Sequence, residues 1–205
     1  VCRETGDSGE IYMGRDPSMR GTIIRWNRFT EIAPRQNTEG EFNSVMGVYL
    51  DDCWPGTLVE GNLFDMRGHG VMVGGGQDNV VRGNVFVRNR PSISVDERGR
   101  GWAKDKIVRG GDWNFFGRTD ELNLASPPWS VRYPALATLE RRDYQSPLGN
   151  VIEDNDFVDS PLDVAQTRPG ELVFRNNRTP KVPPARAARI AVAAGLVRKS
   201  DRPLP

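Results

Sequence analysis

Three aspartates in the first third of the chain are the residues best suited to chemistry. Asp51 and Asp52 are adjacent, so each carboxylate raises the pKa of the other, and strand alternation sends their side chains in different directions. Two carboxylates that flank a glycosidic bond can hydrolyse it, because one protonates the leaving oxygen while the other attacks carbon or activates water. We therefore take Asp7, Asp51 and Asp52 as candidate catalytic residues.

Further polar and aromatic side chains accompany these aspartates and could bind a substrate. Arg15 aligns with Asp52 in the repeat pattern described below, a pairing that would hold one carboxylate ionised while another stays protonated. A structural interpretation stands beside this one, since aspartates at strand ends cap turns and a surface Asp–Arg pair contributes little. The candidate binding residues are Glu10, Tyr12, Arg15, Tyr49, His69 (between two glycines at an expected turn), Asp96, Glu97, Arg98 and Trp102.

Composition argues against several classes of protein. The formal net charge is +1, so the chain has no basic footprint for nucleic acid. No apolar run is long enough to cross a bilayer, and membrane insertion is not expected. Cys2, Cys53 and the single histidine form neither a disulfide framework nor a zinc site. Without an EF-hand or a nonapeptide calcium repeat, we predict no metal and no cofactor.

An Asn-x-Phe repeat follows an apolar pair several times along the chain. Asn62 and Asn84 are 22 residues apart, as are Asn155 and Asn177, where the last copy lacks the phenylalanine. The pattern predicts an asparagine ladder at a turn where Asn tolerates the left-handed conformation, and a stacked column of phenyl rings inside. The copies are residues 23–29 (IIRWNRF), 58–64 (LVEGNLF), 80–86 (VVRGNVF), 151–157 (VIEDNDF) and 172–177 (LVFRNN).

A second set of alternating segments runs alongside the first. Residues 47–51 (GVYLD), 70–74 (GVMVG) and 92–96 (SISVD) share one pattern, and residues 11–14 are an earlier copy. Two short strands per 22 residues leave no room for a crossover helix, so the chain must wind as a coil. We predict an all-β fold, a right-handed parallel β-helix over residues 1–179. A β-propeller or a leucine-rich repeat fits this period less well.

Two insertions interrupt the predicted coils, at about residues 33–44 and 99–148. They leave from opposite ends of one strand face and should wall a groove over it. Its floor would be the outward-pointing residues Tyr12, Tyr49, Asp51, Met72, Ser94 and Asp96. The aromatic residues of the longer insertion predict either a satellite core or a surface for stacking on sugar rings. A short helix is expected at residues 136–142.

Both ends of the predicted solenoid need cover. Residues 180–205 should form a C-terminal cap or tail, with a short amphipathic helix at residues 185–194. The chain begins at Val1 without a signal peptide, and residues 7–15 already have a structured pattern, so we expect further coils before it.

Four segments resemble motifs of one family. Residues 7–16 (DSGEIYMGRD) resemble the DGGAIYTGRD motif of bacterial right-handed β-helix repeat proteins in the pectate-lyase-like superfamily, and residues 47–52 (GVYLDD) resemble their GIYLDD motif. Residues 127–136 (PPWSVRYPAL) are similar to their PPW…RYPxL segment, and Gly195-Leu196 is similar to a C-terminal IGL element. The resemblance covers nearly the whole chain and aligns it with the C-terminal half of longer proteins.

The resemblance implies an exported protein, extracellular or periplasmic, that acts on a polysaccharide or oligosaccharide. Some members resemble fucosidase- or xylanase-type glycoside hydrolases, which implies Asp7 with Asp51 or Asp52 as acid and base. Ser8, Glu10 and Cys53 depart from the family pattern. Two alternatives stay open: a polysaccharide lyase or epimerase, and a non-catalytic carbohydrate-binding solenoid.

Overall fold

The computed structural model describes residues 6–30, 45–162 and 168–193. This part of the chain is mostly β, with three parallel sheets and a few short helices. The first sheet has the strand order β1 (Ser8–Gly14), β4 (Val45–Asp51), β7 (His69–Gly74) and β10 (Ile93–Asp96). The second has the order β2 (Thr22–Arg25), β5 (Thr57–Glu60), β8 (Val80–Arg82), β11 (Asn150–Glu153) and β13 (Leu172–Arg175). The third contains β3 (Arg28–Thr30), β6 (Leu63–Asp65), β9 (Val85–Val87) and β12 (Asp156–Val158).

The repeat sets the register of these sheets. Phe29, Phe64, Phe86 and Phe157 occupy equivalent positions of the third sheet. Their rings stack with centroid separations of 4.6, 4.8 and 5.4 Å, close to the spacing of paired strands. The column lies in the main apolar core with inward valines and leucines of the other two sheets. The phenylalanine column predicted from the sequence is confirmed.

The predicted asparagine ladder is also present. The amide oxygen of Asn84 accepts hydrogen bonds from the backbone N–H and the side-chain amide of Asn62, at 2.9 and 3.0 Å. The Asn84 amide in turn donates to Val59 O and to Asn155 Oδ1, both at 3.0 Å. The left-handed residue is the one before each asparagine, such as Gly61 at φ +62° and Gly83 at φ +61°, so the expected backbone role of Asn was wrong. The role of these asparagines is instead to satisfy, through their amides, backbone groups of adjacent repeats.

We expect Asn84→Ala to lower the free energy of unfolding by about 1–3 kcal/mol, because it leaves buried backbone groups of Asn62 and Val59 without partners. Asn27→Ala is the matched control, since Asn27 is the exposed first member of the ladder. Urea denaturation of both variants measures the difference. Equal losses would show that the ladder contributes nothing beyond its solvent-exposed hydrogen bonds.

Charges alternate along the outer face of the second sheet. One register position holds, in strand order, Arg25, Glu60, Arg82, Glu153 and Arg175. Arg82 pairs with Glu60 at 2.8 Å and Arg175 with Glu153 at 2.7 Å. Like charges are therefore not adjacent in this column.

The longer insertion folds around its own apolar cluster. It contains α1 (Gly117–Glu121), α2 (Trp129–Arg132) and a 3-10 helix at Pro134–Arg141, close to the helix predicted at residues 136–142. Its buried residues, which pack on Cys53, include Ile107, Phe115, Leu124, Leu136, Leu139 and Tyr144. Most of the aromatic residues thus build the satellite core that the sequence allowed, and Trp102 is left 62% exposed. The shorter insertion, at residues 33–44, lies outside the described residues.

The short C-terminal helix predicted from the sequence is present and covers the outer face of the third sheet. Helix α3 (Pro184–Ala193) packs on β6 and β9, and its Ala187, Ala188 and Ala191 cover Leu63 and Val85. The third sheet carries apolar side chains on its outer face here, so this face needs cover more than the sheet end does. In the described part of the chain, no helix is long and apolar enough to cross a membrane.

Candidate functional site

A pocket of about 380 Å³ opens on the outer face of the first sheet, beside the start of the longer insertion. Its size falls within the range of small-molecule sites. It is lined by Asp7, Tyr12, Arg15, Tyr49, Asp51, Asp52, Met72, Asp96, Arg98 and Trp102. Nine of these ten residues are among the candidate site residues derived from the sequence, and the tenth, Met72, was expected on the floor of the groove.

Parallel register and alternation bring the strand residues together. Tyr12, Tyr49 and Met72 are register partners on β1, β4 and β7. Their neighbours Val48 and Leu50 enter the core, so the tyrosines face outward as predicted. The Tyr12 and Tyr49 rings meet edge to face at 5.2 Å. Tyr12 is half exposed, whereas Tyr49 is buried beneath the pocket surface.

The Asp51 carboxylate is held on both sides. The Tyr12 hydroxyl donates a hydrogen bond to Asp51 Oδ2 at 2.6 Å, and Arg98 Nη1 donates to Oδ1. Asp51 is 6% exposed and remains part of the pocket wall. Hydrogen bonds from an arginine and a phenol fix the orientation of this carboxylate.

Asp52 is more deeply buried and is engaged by both pocket arginines. Arg15 Nε donates to Asp52 Oδ2 at 2.6 Å, which confirms the predicted Arg15–Asp52 alignment. Arg98 Nη1 lies 3.3 Å from Asp52 Oδ1. Burial raises the pKa of the Asp52 carboxyl, while the Arg15 hydrogen bond opposes this rise. With 2% of its surface exposed, Asp52 is better placed to position its neighbours than to meet a substrate.

Arg98 is the centre of the charge network. Its Nε and Nη2 donate to Asp96 at 3.1 and 2.8 Å, and its Nη1 donates to both Asp51 and Asp52. A Cβ at Gly74 would collide with this guanidinium, and one at Gly75 would lie 2.9 Å from Arg98 Cγ. The two glycines therefore make the space that Arg98 fills. Because Nε, Nη1 and Nη2 all donate to aspartates, Arg98 is suited to positioning these carboxylates.

The tyrosine hydroxyls remain protonated donors in this environment. Burial raises the pKa of Tyr12, and its hydrogen bond to Asp51 raises it further. Burial likewise raises the pKa of Tyr49, although the nearby Arg98 charge opposes this rise. Both phenols can therefore keep donating to carboxylates across the working range of most enzymes.

Asp7 and Trp102 are the accessible members of the pocket. The Tyr49 hydroxyl donates to Asp7 Oδ1 at 3.0 Å, and Asp7 is an exposed residue with φ +49°. The Trp102 ring lies over the Arg98 guanidinium at 5.6 Å and is 62% exposed. A carboxylate and an apolar ring thus face the same opening.

Three predicted binding residues do not line the pocket. Glu10 is exposed on β1, outside the pocket wall. His69 is 3% exposed at the start of β7, which corrects its interpretation as a turn residue that binds substrate. Glu97 accepts a 2.8 Å hydrogen bond from Arg100, which also binds Glu171 at 3.0 Å. This network ties the insertion to the segment before β13.

No cluster of three or more His, Cys, Asp and Glu side chains suited to a metal ion occurs within residues 6–30, 45–162 and 168–193. Comparisons with protein-family models, with curated proteins and with solved structures find no match to this chain. Functional inference therefore rests on the pocket and its chemistry.

Proposed function

We propose that the chain is part of a right-handed parallel β-helix of the pectate-lyase-like superfamily and that its pocket is the active site of a glycoside hydrolase. Three parallel sheets built from a 22-residue repeat support the first part. The residues that carry the motif resemblance, Asp7, Tyr12, Arg15 and the Asp51-Asp52 pair, all line one pocket, which supports the second. A secreted location, extracellular or periplasmic, belongs to the same proposal.

The observation that carries the proposal is the pairing of one fixed and one accessible carboxylate in a single pocket. Asp51 is oriented by Tyr12 and Arg98, as expected of a nucleophile or a general base that must stay ionised. Asp7 is exposed and accepts a hydrogen bond from the Tyr49 hydroxyl on Oδ1, which leaves its other oxygen able to contact a leaving-group oxygen. We assign Asp7 as the general acid and Asp51 as the nucleophile or base, with Asp52 as a positioning residue.

In this mechanism the Asp7 proton passes to the glycosidic oxygen as the bond from that oxygen to the anomeric carbon breaks. The Asp51 carboxylate either takes a proton from the water that attacks the anomeric carbon, or itself bonds to that carbon. In the second case water then displaces Asp51, and the Asp7 carboxylate takes the proton from that water. Carboxyl groups about 5–5.5 Å apart would give retention, and a gap of about 6.5–9.5 Å would give inversion. Trp102 offers an apolar face on which a sugar ring can stack.

A non-catalytic sugar-binding pocket is the second candidate. One observation favours it: both Asp51 oxygens already accept hydrogen bonds, so neither can attack carbon or take up a proton without giving up a partner. A lyase or epimerase receives less support, because it needs cations to neutralise a uronate and the pocket arginines are bound to aspartates.

Asp7→Asn should lower turnover by about a hundredfold or more on the polysaccharide that the wild-type protein cleaves. Asparagine tolerates a positive φ, so the fold should be retained. Asp154→Asn is the matched control, since Asp154 is also exposed, has φ +56° and lies outside the pocket. A polysaccharide panel read separately for reducing ends and for unsaturated products measures the effect.

The panel separates the alternatives. Unsaturated products would show that the protein is a lyase and not a hydrolase. Binding without any product, unchanged in Asp7→Asn, would support the sugar-binding pocket instead.

A further inference from the structure

Strand β13 is the last strand of the second sheet in the described part of the chain, and its inward-facing side chain is exposed. Phe174 continues the apolar column of Val59, Val81 and Ile152. The three earlier members are 2% exposed or less, whereas Phe174 is 49% exposed. The outward-facing Val173 beside it is also exposed. The outer edge of β13 thus presents two large apolar side chains, a combination that favours pairing with another strand.

Strand β13 is held firmly on its paired side. Its residues continue the parallel register of β11. Just after the strand, Asn177 accepts from the Asn155 side-chain amide at 2.9 Å and donates its own amide to Ile152 O at 2.8 Å. Just before it, Glu171 accepts a 3.0 Å hydrogen bond from Arg100 of the longer insertion. A strand fixed at both ends is a good template for an added strand, because little ordering is needed before it pairs.

The alternating charge column selects the kind of strand that fits this edge. Within the column Arg82 lies between Glu60 and Glu153, so an internal arginine has a carboxylate on each side. Arg175 is the last member and pairs at 2.7 Å with Glu153 on one side. A strand added to β13 would bring its equivalent residue to about 4.8 Å from Arg175. A carboxylate is favourable at that position, and a second cation is not.

The same column disfavours a second copy of this chain as the occupant. End-to-end stacking of two copies would set β2 of one against β13 of the other. The apolar contact would fit, since Ile24 would cover Phe174. However, Arg25 would then lie beside Arg175, and like charges on neighbouring strands are unfavourable. The charges at the two ends of the column therefore favour a different partner.

We propose that the edge of β13 binds an extended segment of a different protein chain, in which two adjacent apolar residues are followed by an acidic residue. The first apolar residue lies beside Val173, the second covers Phe174, and the acidic residue pairs with Arg175. An asparagine two residues further on continues the amide ladder beyond Asn177, as Asn177 continues it beyond Asn155. This interaction does not depend on the proposed function of the pocket, which lies on the first sheet.

Two eight-residue peptides test the proposal. The glutamate peptide has the sequence of residues 57–64 (TLVEGNLF), which the chain itself places between two arginine-bearing strands, and the arginine peptide carries Glu60→Arg. We expect the glutamate peptide to bind the folded protein about two- to fivefold more tightly at low salt, the range of an exposed ion pair. Fluorescence anisotropy of the labelled peptides measures both affinities, and amide hydrogen exchange should show new protection in β13.

Variants of the protein locate the binding site. Phe174→Ala should weaken binding of the glutamate peptide by about tenfold, because the added strand loses its main apolar contact. Val131→Ala is the matched control, since it removes an exposed apolar side chain from α2 and should leave peptide binding unchanged. Arg175→Glu should reverse the preference, so that the arginine peptide binds more tightly than the glutamate peptide.

Equal affinities of the two peptides, or a preference that Arg175→Glu leaves unchanged, would overturn the proposal. Failure of the folded protein to bind either peptide would do the same. Sedimentation of the protein alone tests the remaining occupant. Self-association that Phe174→Ala abolishes would assign the edge to a second copy and overturn the choice of partner. A monomer that binds the glutamate peptide selectively, and loses it in Phe174→Ala, is the expected result.

Discussion

Replacing Asp51 with asparagine should lower turnover by about 10²- to 10⁴-fold while the fold is retained. Asparagine has the size of aspartate, and its oxygen can still accept from Arg98. Its amide nitrogen would then face the Tyr12 hydroxyl, which can switch from donor to acceptor. The loss would therefore report the missing negative charge rather than a rearranged pocket.

Leaving-group chemistry distinguishes Asp51 from Asp7. An aryl glycoside with an acidic phenol, made from the sugar that the wild-type protein releases, needs little help from a general acid. Asp7→Asn should therefore recover much of its activity on this substrate, and Asp51→Asn should not. Asp159→Asn is the control, because Asp159 pairs with Arg90 at 2.8 Å and lies outside the pocket. If Asp51→Asn turns over substrate as fast as the wild-type protein, Asp51 is neither the nucleophile nor the base.

Arg98→Met should lower the free energy of unfolding by about 3–5 kcal/mol, the usual cost of removing one member of a buried ionic network. Methionine fills much of the space but leaves Asp51, Asp52 and Asp96 without their shared counter-charge. Arg82→Met is the matched control, since Arg82 is 44% exposed and pairs with Glu60. We expect that control to cost about 1 kcal/mol or less.

Acid should partly rescue the Arg98→Met variant. Burial already raises the pKa of Asp52, and removal of Arg98 takes away a charge that lowers it. A raised pKa in the folded state makes the variant relatively more stable as the pH falls, and this advantage disappears as the pH rises through that pKa. Chemical denaturation at pH 4 and pH 7 measures the difference. If the variant's free energy of unfolding falls below that of wild type by the same amount at both pH values, lost packing and not unpaired charge causes the destabilisation.

The parts of the fold that follow from repetition could be predicted from the sequence. Asn62 and Asn84, and Phe64 and Phe86, recur at the same spacing, and parallel pairing places identical residues side by side. A second ladder, in which Asn150 Oδ1 accepts from the backbone N–H of Asn79, was missed. The equivalent position one repeat earlier is Thr57, whose backbone N–H donates to Asn79 Oδ1, so this position holds too few asparagines to stand out as a repeat in the sequence.

The pocket was predicted where residues lie on strands and less well where they follow a strand end. Alternation located Tyr12, Tyr49 and Asp51, whereas Glu97 and Arg98 lie beyond β10, where the chain turns and a one-residue change redirects the side chain. The glycines at positions 74 and 75 were a signal for Arg98, since adjacent strand-end residues without side chains indicate that another group occupies their space. Helix α3 could not be placed from its own amphipathic pattern, because that pattern does not identify which sheet face is apolar.

The alternating charge column on the second sheet has a consequence for how such a chain can change length during evolution. Deleting one internal repeat would preserve the apolar columns and the asparagine ladder. It would, however, bring two arginines or two glutamates into adjacent register. Like charges directly opposite each other on neighbouring strands are unfavourable. Loss or duplication of two repeats at once keeps the signs alternating. The column therefore biases this part of the molecule towards gaining and losing its repeats in pairs.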